Sequence, residues 1–424
     1  MIDRTLTPEF GQVEKIDFIH AKSHVFDNGL QCFIVNGGEQ ELVRIEFIFE
    51  NVSWNKETPL QAFATNSILN DGTSKFTAAQ IADKIDFYGA FLQTEYSLDQ
   101  SIVTLYTLNK HLQATLPIVK AILSDSTFPE RELDIFILNQ KQKLSVNLEK
   151  NDFVARKIFN KVLFGDSIYG LDIDNEIYDQ LTRNQLLEYF SKAYQPQNCT
   201  VILAGKITDQ TLIDLNKYFG RDWTNKDEID LNYFKFQKTT GAEHIVDKPD
   251  ALQSAIRLGQ IAVNRSHSDF PGLQVLNTVL GGYFGSRLMA NIREDKGFTY
   301  GIGSALVSLK HSGYFFIASE VGSHVCTQAM FEIEKEINLL KNEKVTEGEL
   351  NLVRNYMLGS MLGSLENALS HADKFKAIYF SGLDYDYYER YIQIVRNINP
   401  DDILSLANQY LNYDDFQKVI VGKR

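Results

Sequence analysis

The segment Thr182-Arg183-Asn184-Gln185-Leu186-Leu187 has a counterpart 217 residues later, Asn399-Pro400-Asp401-Asp402-Ile403-Leu404. Each segment opens with a residue type that caps helices, and three residues on comes a side chain that can reach back to the backbone N–H of the cap. An apolar run follows each helix at the same offset, Val201-Ile202-Leu203-Ala204-Gly205 and Val419-Ile420-Val421-Gly422. Such runs are typical of buried strands. We therefore predict a duplicated domain whose repeat is about half the chain.

The joint between the two predicted domains lies between residues 220 and 250, where no apolar periodicity is sustained. We place it near residue 235, which gives an N-terminal domain of 1–235 and a C-terminal domain of 236–424. Within each half, strand patterns and helix patterns are grouped rather than strictly alternating. Grouped elements favour the α+β class over a doubly wound parallel sheet.

Composition and charge narrow the possible partners. The 424 residues include 42 Lys and Arg against 55 Asp and Glu, a net charge of -13. Nucleic acid is not expected as a partner, because its binding depends on basic residues that displace counterions. No run reaches the roughly 18 apolar residues of a membrane span, and the charged N-terminus does not resemble a signal peptide. We expect a cytoplasmic protein whose three unpaired cysteines, Cys32, Cys199 and Cys326, are small buried side chains.

Two patterns suggest ligand sites that the spacing does not support. The glycine-rich run 281–286 lacks the Lys-Ser or Lys-Thr ending of a phosphate loop and follows a helical pattern, so a turn between packed helices is the better interpretation. The histidines contain no pair with an interleaved Glu on one helix face; they are at positions 20, 24, 111, 244, 267, 311, 324 and 371. A zinc site needs three or four converging donors, and no local segment supplies them.

Arg293 and Tyr300 are the candidate site residues of the second half. In isolation they would be interpreted as a surface Arg and a half-buried Tyr. Gly297, however, is placed to end the helix that carries Arg293, and a strand pattern begins at Thr299. The two side chains are therefore predicted on either side of one tight corner.

The chain resembles the insulinase (pitrilysin) family of zinc peptidases, in particular its short bacterial members with two related domains. The resemblance covers nearly the whole chain and is most specific at Leu280–Leu288 and at Ile292-Arg293-Glu294-Asp295-Lys296-Gly297-Phe298-Thr299-Tyr300, which look like the second-domain signature. Residues 69–73 and 81–90 align with the first domain. The resemblance implies two homologous domains, each a mainly antiparallel sheet packed by helices.

The family's zinc motif is lost in this chain. By alignment, the first zinc His falls on Phe63, the catalytic Glu on Asn66 and the second His on Ser67, while the third ligand, a Glu, falls at or near Lys143. A phenyl ring and an ammonium cannot ligate zinc, a carboxamide cannot act as the general base, and a hydroxyl is a poor zinc ligand. The resemblance thus implies no metal and no other cofactor on this chain.

The resemblance also implies a paired, clamshell-like enzyme. A zinc-binding paralogous subunit would hold the metal, and Arg293 and Tyr300 would contact the substrate and the developing oxyanion in trans. Peptides would bind as an added strand at a sheet edge. The chain would then be the non-metal-binding subunit of a heterodimeric zinc metallopeptidase. A homodimeric, catalytically inert peptide-binding or structural scaffold is the alternative, and an autonomous metallopeptidase with unrecognised ligands is the third possibility.

Overall fold

The structure, a computed structural model, describes residue 13 and residues 15–225 and 228–424. The first half is built on a six-stranded sheet in the order β1-β2-β6-β3-β5-β4. All neighbouring strands are antiparallel except β2 and β6, which are parallel. The strands are β1 (Lys22–Val25), β2 (Gln31–Asn36), β3 (Leu42–Glu50), β4 (Phe91–Tyr96), β5 (Gln100–Leu108) and β6 (Cys199–Gly205).

The described part of the first half also contains eight α-helices. They are α1 (Gln61–Ser67), α2 (Ala78–Phe87), α3 (Leu112–Asp125), α4 (Glu130–Leu148), α5 (Asn151–Phe164), α6 (Asn175–Asp179), α7 (Arg183–Ala193) and α8 (Asp209–Leu215). The predicted cap at Thr182 forms, and Thr77 caps α2 in the same way: each accepts from the backbone N–H three residues on, and both complete a capping box. Local polar chemistry therefore sets where these helices begin.

The second half has a five-stranded sheet in the order β7-β11-β8-β10-β9, in which only β7 and β11 are parallel neighbours. Its strands are β7 (Ala242–Asp247), β8 (Gln253–Ala262), β9 (Thr299–Ser308), β10 (Gly313–Gly322) and β11 (Gln417–Gly422). Its helices are α9 (Phe270–Asn277), α10 (Cys326–Asn342), α11 (Glu347–Gly363), α12 (Ala368–Tyr379), α13 (Asp386–Asn397) and α14 (Pro400–Tyr410). The α+β class and the mainly antiparallel sheets predicted from the sequence are confirmed.

Element bounds recur at the offset that the sequence repeat has. Helix α4 begins at Glu130 and α11 at Glu347, 217 residues apart, and the same interval separates the starts of α5 and α12 and of α7 and α14. Between the halves, the described residues of 221–241 form no helix or strand. The predicted boundary near residue 235 falls in this stretch, and its position stays a prediction.

The two halves exchange one helix each. Helix α5 of the first half packs on the second sheet, where Ala155 and Phe159 are buried against Val419 of β11 and Ala255 of β8. Helix α12 of the second half packs on the first sheet in the same way, through the buried cluster Ala368, Ala372, Phe375, Val35, Ile48 and Ile202. Each sheet is therefore covered on one face by a helix from the opposite half.

A buried charge network fixes α12 to the first sheet. Arg44 and Glu46 of β3 are both almost fully buried and lie 3.1 Å apart. Arg44 also pairs with Asp373 of α12 at 2.8 Å, and Glu46 pairs with Lys376 of α12 at 2.6 Å. Because charges are costly to bury unpaired, this alternation of signs holds the helix in one register.

Two further expectations concern the environment of the chain. The three cysteines are free and buried, as expected. Among the described residues, no helix has the length and apolar character needed to cross a bilayer. The first nine residues, whose charges and proline do not resemble a signal peptide, lie outside the described residues.

Candidate functional site

The first-half site is formed by α1, which lies against the edge strand β4. Phe63 does not point to an open site. Its ring packs edge-on to Tyr96 of β4, with centroids 5.4 Å apart, and lies 5.6 Å from the ring of Phe136 on α4. The position of the first zinc ligand is thus filled by an aromatic cluster.

Asn66 is buried, and both polar atoms of its carboxamide are hydrogen-bonded. Its Nδ2 donates to the carbonyl oxygen of Glu95 at 2.7 Å, and its Oδ1 accepts from the Tyr194 hydroxyl at 2.9 Å. Burial raises the pKa of Tyr194 well above its ordinary value, so the phenol keeps the proton that it donates. Asn66 ties α1 to β4 and to the C-terminal end of α7, which is a structural role.

Neither Ser67 nor Lys143 is placed to bind a metal. The Ser67 hydroxyl donates to the Phe63 carbonyl oxygen one turn earlier, at 2.7 Å. Lys143 is exposed on α4, seven residues beyond Phe136, where it lines a separate surface cavity with Arg156. Seven residues correspond to a rise of about 10 Å along a helix.

Zinc does not fit these residues. The four positions offer a packed phenyl ring, an amide engaged in two hydrogen bonds, a hydroxyl engaged with its own helix and an exposed ammonium. Among the described residues, no three His, Cys, Asp or Glu side chains cluster as a metal site requires. The chemistry of this donor set therefore assigns no metal-dependent step to these four positions.

The second-half site is a corner between a helical turn and an edge strand. Arg293 lies in a π-helical segment, Met289–Asp295, and Gly297 reverses the chain with a φ of +66° before β9 begins at Thr299. A side chain is disfavoured at that φ, so glycine suits the turn. The structure thus brings Arg293 and Tyr300 together at the edge of the second sheet.

Aromatic rings hold the Arg293 guanidinium. Its central carbon lies 4.6 Å from the ring centroid of Phe284 and 5.5 Å from that of Tyr300. Both rings are exposed, Tyr300 to 90%. Within the described ranges, Arg293 makes no ion pair or hydrogen bond, whereas Arg287 in the same signature binds Glu349 through two bonds of 2.7 and 2.8 Å. The Arg293 donors are therefore available to a ligand.

Phe284 was not predicted as part of the site. It lies in the run 281–286, which we interpreted as a turn between helices, and the structure places it between two π-helical segments, Thr278–Gly282 and Met289–Asp295. The sequence feature that could have indicated its role is an aromatic residue between glycines, within the segment that resembles the family signature. An exposed aromatic side chain at such a turn is a reason to expect a contact surface.

Fold and site together define a zinc-peptidase-like protein in which the four aligned positions of the described chain supply no zinc ligand. Residues 180–357 match the family described as Peptidase M16 inactive domain. This match, which includes Arg293 and Tyr300, confirms the resemblance to the insulinase-type peptidases found in the sequence.

Relatives and a solved structure agree with this assignment. "Uncharacterized zinc protease YmxG" of Bacillus subtilis is 27% identical over 301 residues, 70% of this chain and 73% of the relative. "Non-peptidase homolog YmxG" of Helicobacter pylori is 22% identical over 366 residues, 84% of this chain and 83% of the relative. The crystal structure of a peptidase M16 inactive domain from Pseudomonas fluorescens superposes with a TM-score of 0.84 at 21% identity, covering 95% of this chain and 98% of that one. The absence of a cofactor on this chain fits these relationships.

Proposed function

We propose that this chain is the non-metal-binding subunit of a heterodimeric zinc metallopeptidase and that Arg293 and Tyr300 contact the substrate during peptide hydrolysis. One observation carries the proposal: the Arg293 guanidinium is held by two exposed rings and has no acidic partner in the described part of the chain. A half-buried cation with unused donors is costly to retain unless a ligand uses it.

The position of the pair suits a peptide bound as an added strand. Strand β9 is an edge strand, and Tyr300 is its second residue. A peptide alongside that edge would place a carbonyl oxygen within reach of the guanidinium and the phenol. The zinc and its bound water would belong to the partner subunit. Arg293 and Tyr300 would orient the scissile carbonyl and stabilise the negative charge that develops on its oxygen.

The test is reconstitution with the paralogue from the same organism that carries His-x-x-Glu-His. Purified chains are assayed alone and mixed, with zinc present, on a fluorogenic peptide library. We expect cleavage from the mixture only. Arg293→Ala should reduce kcat by about 100-fold or more, as loss of an oxyanion donor does. Arg390→Ala, at an exposed Arg of α13, is the matched control and should retain activity.

Two outcomes would refute the catalytic role. Full activity of the mixture containing Arg293→Ala would show that the guanidinium does not contact the reacting peptide. Cleavage by this chain alone, abolished by a chelator, would mean that it holds the metal itself.

An inert scaffold of the same fold is the second candidate, either peptide-binding or structural. It is favoured by the aromatic packing of Phe63, which makes the first-half site part of the core, and by the non-peptidase name of the Helicobacter relative. This candidate would be favoured by a stable homodimer that binds no zinc-binding paralogue. It would also be favoured if the Arg293→Ala variant bound peptides as the wild type does.

Two further proposals concern the origin of the two halves and the cellular location of the protein. We infer a domain duplication with a joint near residue 235, supported by the interval of 217 residues between matching helices. We also infer a cytoplasmic location, supported by three free cysteines that a reducing compartment would keep unpaired.

A further inference from the structure

A cavity of about 570 Å³ opens in the second half, between the end of α9 and helices α11, α12 and α13. Its volume is in the range of small-molecule sites. Four tyrosines line it together with Arg265 and Lys374: Tyr356, Tyr387, Tyr388 and Tyr391. No residue of the Arg293 corner contributes to it.

The lining of this cavity can be compared with the four first-half positions to which the zinc motif aligns: Phe63, Asn66, Ser67 and Lys143. The run Asn66-Ser67-Ile68-Leu69 is similar in sequence to Asn277-Thr278-Val279-Leu280. In this alignment, the second-half counterpart of Phe63 is Gln274. The start of α4 matches that of α11, which pairs Lys143 with Ser360.

All four second-half counterparts line the cavity: Gln274, Asn277, Thr278 and Ser360. In the first half, the Phe63 ring packs against Tyr96 and Phe136. In the second half, its counterpart Gln274 lines the open cavity. None of the four counterparts is a carboxylate, imidazole or thiolate, so a zinc ion is not the expected ligand.

The lining is cationic in a chain whose net charge is -13. Among the described lining residues, Asp373 is the only acid, and its carboxylate is already paired with Arg44 at 2.8 Å and lies 3.6 Å from Lys376. Arg265 is held by its bond to the Ala377 carbonyl oxygen, at 2.8 Å. Two positive charges thus face the cavity without an acid of their own.

Lys374 is the more informative of the two cations. It is half-buried, and in the described ranges its ammonium makes no ion pair or hydrogen bond. Burial lowers the pKa of Lys374, and the charge of Arg265 lowers it further, while Asp373 raises it. An anion in the cavity would relieve both unfavourable effects.

We propose that this cavity binds the carboxylate or phosphate group of a small organic anion, with Lys374 and Arg265 as its cationic ligands. The guanidinium suits a planar or tetrahedral oxyanion, and the ammonium adds a point charge. The tyrosine rings accommodate an aromatic or apolar remainder of the ligand. This site is independent of the proposed peptidase partner, since all of its residues belong to this chain.

Titration calorimetry of the purified full chain tests the site with three probes. N-acetylphenylalanine carries a carboxylate, phenyl phosphate carries a phosphate, and N-acetylphenylalaninamide is the neutral match of the first. We expect saturable binding of at least one anion at millimolar Kd or tighter, and at least about tenfold weaker binding of the amide. Which anion binds more tightly identifies the preferred oxyanion.

Variants assign the binding to the cavity. Lys374→Gln should weaken anion binding by about tenfold or more, while Lys192→Gln, at an exposed lysine of α7, should leave it unchanged. Ser360→Phe, at an exposed position on the rim, should block binding without removing any charge. Circular dichroism confirms that each variant is folded. The proposal is overturned by equal binding of the amide, by wild-type affinity in Lys374→Gln, or by no saturable binding of either anion.

Discussion

The guanidinium carbon of Arg293 lies 5.5 Å from the ring centroid of Tyr300, and the two residues are seven positions apart across a glycine turn. The ring and the hydroxyl of Tyr300 can be separated by substitution. Tyr300→Phe keeps the ring beside the cation and removes the phenolic donor, whereas Tyr300→Leu removes both.

In the isolated chain, both Tyr300 variants should change the free energy of unfolding by no more than about 1 kcal/mol, because the Tyr300 ring is exposed. In the reconstituted enzyme, Tyr300→Phe should lower kcat by about 100-fold through loss of the donor. Tyr233→Phe is the control, since that exposed ring also lies near a cation, Lys235, at 5.6 Å. Equal kcat for Tyr300→Phe and wild type would restrict Tyr300 to positioning Arg293.

Asn66 should be essential for stability rather than for catalysis. Asn66→Ala leaves the Glu95 carbonyl oxygen and the buried Tyr194 hydroxyl without their partner, at a cost of about 1–3 kcal/mol for each group. Restoring the family's acid with Asn66→Glu should also destabilise the fold at neutral pH, because the carboxylate cannot donate to Glu95. Urea unfolding measures both effects.

Ser67→Ala is the control for the Asn66 variants, because its hydroxyl bonds only within its own helix. It should change stability by less than about 0.5 kcal/mol. An Asn66→Ala variant as stable as Ser67→Ala would contradict the structural role.

Glu46 should be the most sensitive member of the charge network between the halves. Glu46→Gln leaves Arg44 and Lys376 without the buried carboxylate between them, and breaking such a pair costs about 3–5 kcal/mol. Asp373→Asn should cost less, since half of the Asp373 side chain is exposed. Thermal unfolding of both variants measures the difference, and a smaller loss for Glu46→Gln than for Asp373→Asn would be inconsistent with this network.

Stability should fall in mild acid through His371. This residue is buried on α12, and its Nδ1 accepts the backbone N–H of Ile19 at 3.2 Å, which requires the neutral imidazole. Burial lowers the pKa of His371 below its ordinary value of 6.5. The unfolded chain therefore takes up the proton first as the pH falls.

The contribution of His371 should be complete above pH 6.5, decrease below it, and level off below the folded-state pKa. Unfolding free energies from pH 8 to pH 5 measure this, about 1.4 kcal/mol for each unit by which the two pKa values differ. His371→Asn should reduce the loss of stability below pH 6.5 without abolishing it, because burial also lowers the pKa of His311. His324→Asn, at an exposed histidine, should leave the profile unchanged. A protection factor of the Ile19 amide that stays constant across this pH range would argue against the mechanism.

Much of the fold could be predicted because its signals are local. The caps at Thr182 and Asn399 are read from four consecutive residues, and the structure forms both capping boxes. The corner at Arg293 was predicted because Gly297 provides the turn within four residues. Such features depend on backbone chemistry near in sequence.

The features that could not be predicted are contacts between distant segments. The apolar pattern of α5 does not indicate that Phe159 packs on the sheet of the other half. Periodicity shows which face of a helix is buried, but it does not show which element covers that face. Alignment along the chain leads to Lys143, whereas the structure places Phe136 of α4 against Phe63. The unpaired ammonium of Lys374 likewise appears only when four helices are assembled around it.

Because α5 and α12 are exchanged, we expect the connection between the halves to be dispensable once the chain has folded. A protease that cuts within residues 228–241 would leave two fragments. One helix of each fragment would still be packed on the sheet of the other. The nicked protein should migrate as one particle in native conditions and come apart only in denaturant. Either fragment produced alone would display an uncovered apolar sheet face and should aggregate, so the two sequence repeats amount to one cooperative folding unit.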